Sequence, residues 1–348
     1  MIVTVTFLLV TMLLSFLYET PSLLFTSSYS TISLWSLLFF LFLFAIARST
    51  YIIIAVRPRH LTVFLLNDLK SFLSIERVAN AIPVLLLLPF FFAAFTAAKN
   101  IIPIINPFSW DVTLSNWDRT LHLGFHPWEW LHEPLAALGL TLLISFCYRL
   151  WFIVKVIVIY WQAFSLTNES RREEFFVALI ATWIINGFIL ATLLSSAGPI
   201  YFHLVVSGSN SPYLSLIEYL REVQIYDLPV QEGLWDAYSN RTAEPLSGIS
   251  AAPSMHVSVA CLYALHGWRY GGIIRWGFLA FLFVTFVGSI HLAWHYAIDG
   301  YIAILSTSLI WVATKKLLRW ARSPNSHSDE YRASARANEQ AAQNTPIG

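Results

Sequence analysis

The chain has 348 residues, of which 57% are hydrophobic and 12% are charged, and its formal net charge is +1. Soluble domains carry about 25% charged residues, so this composition excludes an ordinary soluble protein and favours a polytopic membrane protein. A net charge this close to zero gives no sign of nucleic-acid binding. The two cysteines, Cys147 and Cys261, both lie in apolar segments, and we predict neither a disulfide nor a metal site from them.

Long, unbroken apolar runs recur along the chain and predict transmembrane helices, because the strands of a barrel would alternate apolar and polar residues. We expect an all-α transmembrane bundle of about eight spans. In chain order these are residues 2–18, 32–56, 79–97, 135–163, 175–197, 254–268, 273–290 and 294–315. The expected divisions are an N-terminal unit of two helices and a cytoplasmic loop (1–78), a six-helix core (79–317) and a disordered cytoplasmic tail (318–348).

The distribution of basic residues predicts the orientation. With a cytoplasmic N-terminus, the predicted inner segments hold 14 of the 21 Lys and Arg residues and the outer segments hold 4. Cytoplasmic loops are enriched in these residues, so both termini are predicted to be cytoplasmic. The polar stretches 248–256 and 291–299 then both lie at the extracytoplasmic surface, where they can share one site.

Two predicted outer segments are too long to be simple linkers. Residues 98–134 contain prolines and several tryptophans, which suggests a short helix and a turn at the membrane surface. His122 and His126 are four residues apart there, but a third ligand at a suitable spacing is not evident, so packing is favoured over a metal site. Residues 198–250 form the longest loop, with an amphipathic helix predicted near 212–223, and loops of this length are usually functional.

The first of two polar motifs in apolar surroundings is Pro253-Ser254-Met255-His256. A serine that follows a proline and precedes an apolar run predicts a helix N-terminus. Backbone N–H groups in the first turn of a helix attract anions such as phosphate, and the Ser254 hydroxyl adds a donor. His256, in that first turn, can donate or accept a proton near neutral pH. The motif therefore predicts phosphate binding next to an acid–base group.

The second polar motif is His295-Tyr-Ala-Ile-Asp299. Residues four apart on a helix share one face, so Asp299 is expected to hydrogen-bond one ring nitrogen of His295. Such a bond fixes the tautomer and leaves the other nitrogen nucleophilic, as in the catalytic triads, although a purely structural pair is the alternative interpretation. Because both motifs are predicted at one membrane surface, a shared phosphoryl-transfer site is favoured. No carboxylate cluster suited to Mg²⁺ accompanies it, which favours a mechanism without a metal or other cofactor.

The two motifs, together with the Gly248-Ile-Ser-Ala-Ala segment before the first, resemble the second and third signatures of the type 2 phosphatidic acid phosphatase superfamily. The segments Ser195-Ser-Ala-Gly-Pro-Ile-Tyr201 and Asp111-Val-Thr-Leu-Ser-Asn-Trp-Asp118 are more similar to one branch, the inositol phosphotransferase-like group, which includes fungal inositol phosphorylceramide synthase. The likeness covers about residues 80–317 and implies a six-helix core.

The resemblance also implies a role for each polar residue of the two motifs. His295 would be the nucleophile that forms a phosphohistidine, and Asp299 would orient it. His256 would protonate the leaving group, while Ser254 would help to hold the phosphate.

The chain departs from the superfamily pattern in its basic residues. The Lys and the Arg-Pro of the first signature are not recognisable near Gly198-Pro199, and Ser289 replaces the Arg six residues before the third-signature histidine. Another cation must then neutralise the phosphate, and the candidates are Arg241 in the long outer loop and Arg149 in the fourth span. A buried arginine needs a partner or a water-filled cavity, although Arg149 could equally extend toward the inner surface.

These features predict an integral membrane enzyme that cleaves a phospholipid or sphingolipid phosphoester through a phosphohistidine. The branch likeness favours transfer of the phospho-headgroup to a lipid hydroxyl. One alternative is a lipid phosphate or polyprenyl diphosphate phosphatase, in which water accepts the phosphoryl group. The other is a non-enzymatic membrane transporter or binding protein. The expected partners are a lipid substrate and the membrane, with no nucleic acid.

Overall fold

The computed structural model describes residues 2–20, 26–206, 211–242 and 245–322. Within these ranges the chain is largely α-helical and contains no β-strand, which confirms the predicted all-α bundle. The helices are α1 (Ile2–Leu17), α2 (Thr26–Tyr51), α3 (Leu61–Phe72), α4 (Ile75–Ile105), α5 (Asp111–Leu121), α6 (Pro127–Ala137), α7 (Thr141–Ala163), α8 (Glu169–Ile184), α9 (Ala191–Leu193), α10 (Phe202–Val205), α11 (Leu214–Val223), α12 (Leu228–Ser239), α13 (Met255–Gly267), α14 (Gly272–His291) and α15 (Ala297–Arg322). A π-helical turn, Ile52–Val56, extends α2, and another, Ile185–Leu190, joins α8 to α9. The predicted disordered tail beyond residue 322 lies outside the described residues.

The length and composition of the described helices confirm a multi-pass membrane protein. Six helical stretches are long and apolar enough to cross a membrane: Ser27–Val56, Ile75–Ile105, Thr141–Ala163, Glu169–Leu193, Gly272–His291 and Ala297–Arg322. Two of the eight predicted spans, α1 and α13, have only 16 and 13 residues and fall outside this group by their length. At 1.5 Å per residue they are about 24 and about 20 Å long, less than the hydrocarbon core of about 30 Å.

Helix α13 lies at the centre of the bundle. Ten of its residues are buried, because α8, α14 and α15 pack around it. The Asn186 side chain, in the π-helical turn after α8, donates to the Ser258 hydroxyl of α13 (2.9 Å) and to the Thr307 hydroxyl of α15 (3.0 Å). Buried hydrogen bonds of this kind fix how helices are set against one another, so this amide ties three helices together.

The N-terminal helices pack on the outside of the bundle against α4 and α7. The ring of Phe7 in α1 is 5.6 Å from that of Phe91 in α4, and the ring of Phe40 in α2 is 5.6 Å from that of Tyr160 in α7. Helix α4 begins at Ile75, where the Ser74 hydroxyl accepts the backbone N–H of Arg77. The division of the chain at residue 78 stays a prediction.

A layer of short helices, α5, α6, α11 and α12, covers the end of the bundle where the two polar motifs lie. The predicted amphipathic helix near 212–223 is confirmed as α11, whose buried Leu216 and Leu220 belong to the same apolar core as Leu292 and Tyr296. Helix α12 was not predicted. The predicted single helix within 98–134 is instead two helices, α5 and α6, and α4 continues to Ile105.

Candidate active site

Three loops meet at this end of the bundle and are joined by backbone hydrogen bonds. The N–H of Ser254, in the first motif, donates to the carbonyl oxygen of Asp299, in the second (3.3 Å). The loop after α9 joins both, because Ala251 donates to Ser196 (2.9 Å) and Ile200 donates to Ala293 (2.9 Å). The prediction that the two motifs meet at one end of the bundle is therefore confirmed.

The first motif forms the predicted helix N-terminus. Ser254 is the N-cap of α13, and its hydroxyl oxygen accepts the backbone N–H of Val257 (3.4 Å). Its side chain is fully buried, so it is held in the helix cap and not displayed to solvent. The next residue but one, His256, lies in the first turn and is only half-buried.

Aromatic residues of α7 hold the His256 ring. The ring stacks on Tyr148, with 4.8 Å between centroids and 20° between planes. It also lies 4.3 Å from the Trp151 ring, whose indole N–H donates to the carbonyl oxygen of His256 (3.0 Å). These contacts limit the rotation of the imidazole, so its direction is set before any substrate arrives.

The second motif brings His295 and Asp299 together, but not on one helix face as expected. Helix α15 starts only at Ala297, so His295 lies in the turn before it and Asp299 in its first turn. The Nδ1 atom of His295 is 3.6 Å from Oδ2 of Asp299, an ion-pair distance slightly too long for a hydrogen bond. Such contacts commonly shorten when substrate binds. Both side chains are buried, and Ser289 holds the His295 backbone by accepting its N–H (2.9 Å).

The two imidazoles face one another across the joined loops. The ring centroids of His256 and His295 are 6.4 Å apart, with 53° between the planes. In phosphoryl transfer the attacking and leaving atoms lie roughly in line on opposite sides of the phosphorus. This separation suits a phosphate group between the rings, with one imidazole on the attacking side and the other on the leaving side.

Two aspartates of α5 hold the signature loops in place. The Asp111 carboxylate accepts the backbone N–H groups of Ala197 (2.9 Å) and Gly198 (2.8 Å) and the Tyr296 hydroxyl (2.8 Å). Asp118 accepts the N–H groups of Ala297 and Ile298, each at 2.8 Å, at the start of α15. One helix thus fixes both the loop after α9 and the turn that carries His295.

The positioning function of these aspartates was not predicted. Asp111 and Asp118 are seven residues apart and share a helix face, which is a signal in the sequence. Their partners, however, are mostly backbone amides, which no side-chain pattern reveals. Burial raises the pKa of the Asp118 carboxyl to about 7 against the opposing effect of its two backbone donors, and the nearby charge of Asp299 raises it further.

The two arginines predicted to bind phosphate have other surroundings. The Arg149 guanidinium donates to the carbonyl oxygen of Tyr226 in the outer layer and lies near Asp227, so it does not extend toward the inner surface. Arg241 is exposed just after α12. Among the contacts made by described residues, none joins either arginine to His256 or His295.

Two lysines, unlike the two arginines, interact electrostatically with the histidines. Lys99, near the end of α4, interacts electrostatically with both His256 and His295, whereas Lys155 of α7 interacts with His256. No sequence motif marks either lysine. No short stretch of sequence could have revealed these lysines, because their interactions with the histidines join segments that are distant in the chain.

The outer histidines take packing positions. The ring of His122 contacts the carbonyl oxygen of Asp118 (2.6 Å) and the Tyr301 hydroxyl (3.0 Å), and His126 caps α6. In the part of the chain that the structure describes, no group of three or more His, Cys, Asp or Glu side chains is placed to hold a metal ion.

Comparison with known proteins identifies a family. The model of a family described as the PAP2 superfamily matches residues 112–313, from the first turn of α5 into α15. No curated protein and no solved structure matches the chain. The matched region contains the three joined loops, both facing histidines and Asp299, but not α4. Since this region is more than half of the 348 residues, the chain belongs to the PAP2 superfamily, whose members are phosphatase-type enzymes.

Proposed function

We propose that this protein is an integral membrane lipid phosphotransferase. It cleaves a phospholipid phosphoester through a phosphohistidine at His295 and passes the phospho-headgroup to the hydroxyl of a second lipid. The observation that carries the proposal is the facing pair of imidazoles, one of them beside a buried carboxylate, at a helix N-terminus. The likeness to the inositol phosphotransferase-like branch supports transfer over hydrolysis.

In the first step the free nitrogen of the neutral His295 ring attacks phosphorus. Asp299, 3.6 Å from Nδ1, keeps the other nitrogen protonated and stabilises the positive charge that develops on the ring. The bond between phosphorus and the lipid-alcohol oxygen breaks, and His256 gives its proton to that oxygen. The products are a free lipid alcohol and a headgroup phosphate bound to His295.

In the second step the hydroxyl of the acceptor lipid attacks the phosphohistidine. His256, now neutral, takes the hydroxyl proton, and the P–N bond breaks to regenerate His295. If water attacked the phosphohistidine in place of the lipid hydroxyl, the same intermediate would be hydrolysed and the enzyme would act as a phosphatase. The free N–H groups at the start of α13 hold the phosphate during both steps, and the buried Ser254 hydroxyl keeps that helix end in place as its cap.

The site faces the extracytoplasmic side in this proposal, and both termini are cytoplasmic. The support is the excess of Lys and Arg in the segments at the opposite end of the bundle. A lipid can then enter from the outer leaflet, and the short helices α5, α6, α11 and α12 separate the reacting groups from bulk water.

The test uses purified protein in lipid nanodiscs with EDTA present. Phospholipids labelled in the headgroup phosphate are supplied with ceramide or diacylglycerol as acceptor. Wild type should form a new labelled lipid, and His295→Ala and His256→Ala should each lower its formation at least ~1,000-fold, in line with losses from deleted nucleophiles and acids. His60→Ala is the matched control, because His60 is exposed before α3, and it should keep full activity.

A second substrate distinguishes the roles of His256 and His295. In a phosphodiester with a p-nitrophenyl leaving group, departure needs no proton, so His256→Ala should still form the acid-labile phosphohistidine. His295→Ala should not form it with any substrate. Full activity in His295→Ala would refute the mechanism. Label released only as soluble headgroup phosphate would assign hydrolysis instead of transfer. Labelled lipid that binds to the protein without any turnover would indicate a binding protein.

A further inference from the structure

The Lys99 side chain runs along the loop that leads into the first motif. An ideal Cβ atom placed on Gly248 would lie 3.1 Å from Cγ and 3.2 Å from Cδ of Lys99. Gly248 also has a φ of +94°, which favours glycine. Because residue 248 has no side chain, the methylene groups of Lys99 can pack directly against the backbone of the loop.

Hydrogen bonds next to this contact fix the position of α4 relative to the loop. The Asn100 amide donates to the Ser247 hydroxyl (3.0 Å), and that hydroxyl donates back to the Asn100 side-chain oxygen (3.2 Å). Residues 99–100 of α4 and 247–248 of the loop thus form one joint. The stem of Lys99 passes through this joint, and its ammonium charge interacts with both histidines.

Lys99 differs from every other cation near the site. It interacts electrostatically with both imidazoles, and among the described residues its ammonium has no carboxylate, hydrogen-bond acceptor or aromatic ring as a partner. Lys155, by contrast, is enclosed by rings: its Nζ lies between 4.9 and 5.7 Å from the centroids of Phe92, Trp151, Phe152 and Trp183. Cation–π contacts of this kind satisfy a lysine charge, so Lys155 has a structural partner and Lys99 has none.

A phosphate held between the imidazoles needs an opposite charge, because burying an unpaired anion is costly. The basic residues of the superfamily signatures are missing here, Arg149 is bound to Tyr226, and Arg241 is exposed. A lysine ammonium is a compact point charge on a flexible stem, which suits a phosphate oxygen. We propose, resting on the phosphoryl transfer proposed above, that Lys99 is the cation that binds the substrate phosphate between His256 and His295.

This assignment places a phosphate ligand outside the region that the family model matches. Residues 112–313 supply the nucleophile, the acid and the helix N-terminus, and α4 supplies the charge. The substrate phosphate would then bridge α4 and α13.

Two measurements test the proposal, and the first does not need turnover. Orthovanadate, a phosphate analogue, should raise the thermal unfolding temperature of wild type, because a ligand that binds only the folded state stabilises it. The shift should be lost in Lys99→Met, which keeps a stem of similar length, and in Lys99→Gln. It should be retained in Lys99→Arg and in Lys155→Met, the matched control that also removes a lysine charge that interacts with His256.

The second measurement is kcat/KM with labelled phospholipid. Lys99→Met should lower it about 100-fold or more, mainly through KM, whereas Lys99→Arg should lose less than about 10-fold. An unchanged vanadate shift and unchanged kcat/KM in both Lys99→Met and Lys99→Gln would overturn the assignment. Equal losses of kcat/KM in Lys99→Met and Lys155→Met would also overturn it. Such losses would reflect the summed positive charge near the site and not a specific contact of Lys99 with phosphate. A vanadate shift that needs Lys99 in a protein without turnover would support the anion site and refute the phosphotransferase.

Discussion

Gly198 is the residue where the loop after α9 approaches the nucleophile turn most closely. Its φ of +99° and ψ of 167° lie in a region that is open almost only to glycine. Its N–H donates to Asp111 (2.8 Å), which prevents the loop from moving away. An added Cβ would lie 2.7 Å from the carbonyl oxygen of Trp294, the residue before His295. We therefore predict that Gly198→Ala displaces the nucleophile.

The size of the effect follows from these distances. Ordinary contact begins at 3.4 Å, so the Trp294 carbonyl must move by about 0.7 Å. Backbone strain of about 1–3 kcal/mol and overpacking of similar size should together lower the free energy of unfolding by about 2–6 kcal/mol. A displacement of about 1 Å at a reacting group can reduce the rate about 100-fold, so kcat should fall by roughly 10- to 100-fold.

The assay compares unfolding in detergent and kcat on labelled phospholipid for Gly198→Ala and Gly233→Ala. Gly233 lies in α12 with no heavy atom within 4 Å of its ideal Cβ. Its replacement should leave kcat unchanged and stabilise the protein by about 0.5–1 kcal/mol, since alanine is the better helix former. If Gly198→Ala keeps wild-type kcat and stability, the close approach of the two loops does not position His295, and the reasoning is wrong.

Two further predictions concern pH and orientation. Burial raises the pKa of Asp118 to about 7, above its ordinary value of 3.8, so the folded protein holds a proton that the unfolded chain releases. The contribution of this group to the free energy of unfolding should be complete below pH 4 and decline by up to about 1.4 kcal/mol per pH unit as pH rises to 7. Asp118→Asn should abolish this slope. A slope that persists in the variant would contradict the prediction. In a chain without native cysteines, Glu222→Cys of α11 should react with a membrane-impermeant maleimide added to intact cells and Lys70→Cys of α3 should not. The reverse pattern would place the site on the cytoplasmic side.

The transmembrane architecture was largely predictable because hydrophobicity is a local property of the chain. Apolar runs predicted every long helix of the bundle and also α13, but they did not reveal how short α13 is. Helix α13 has only 13 residues, and ten of them are buried against other helices. The apolar run looked like a span because a buried helix and a lipid-exposed helix have similar composition.

The site was predictable only where its residues are close in sequence. The spacing of His295 and Asp299 suggested their contact, although it could not distinguish a helix face from a turn followed by a helix. The pairing of α4 with the Gly248 loop was invisible, since Asn100 and Ser247 are 147 residues apart. Without homologous sequences to reveal paired changes, a single chain carries no record of such contacts.

The carboxylates of α5 also bear on the order in which the protein is assembled. Helix α5 is synthesised before the loop after α9 and well before α15, whose backbone amides it will bind. Asp118 therefore lacks its two backbone donors until α15 has been inserted, whereas Asp111 can already bind the loop after α9. The arrival of α15 supplies these donors and completes the turn with His295, so the site is complete only when α15 is in place.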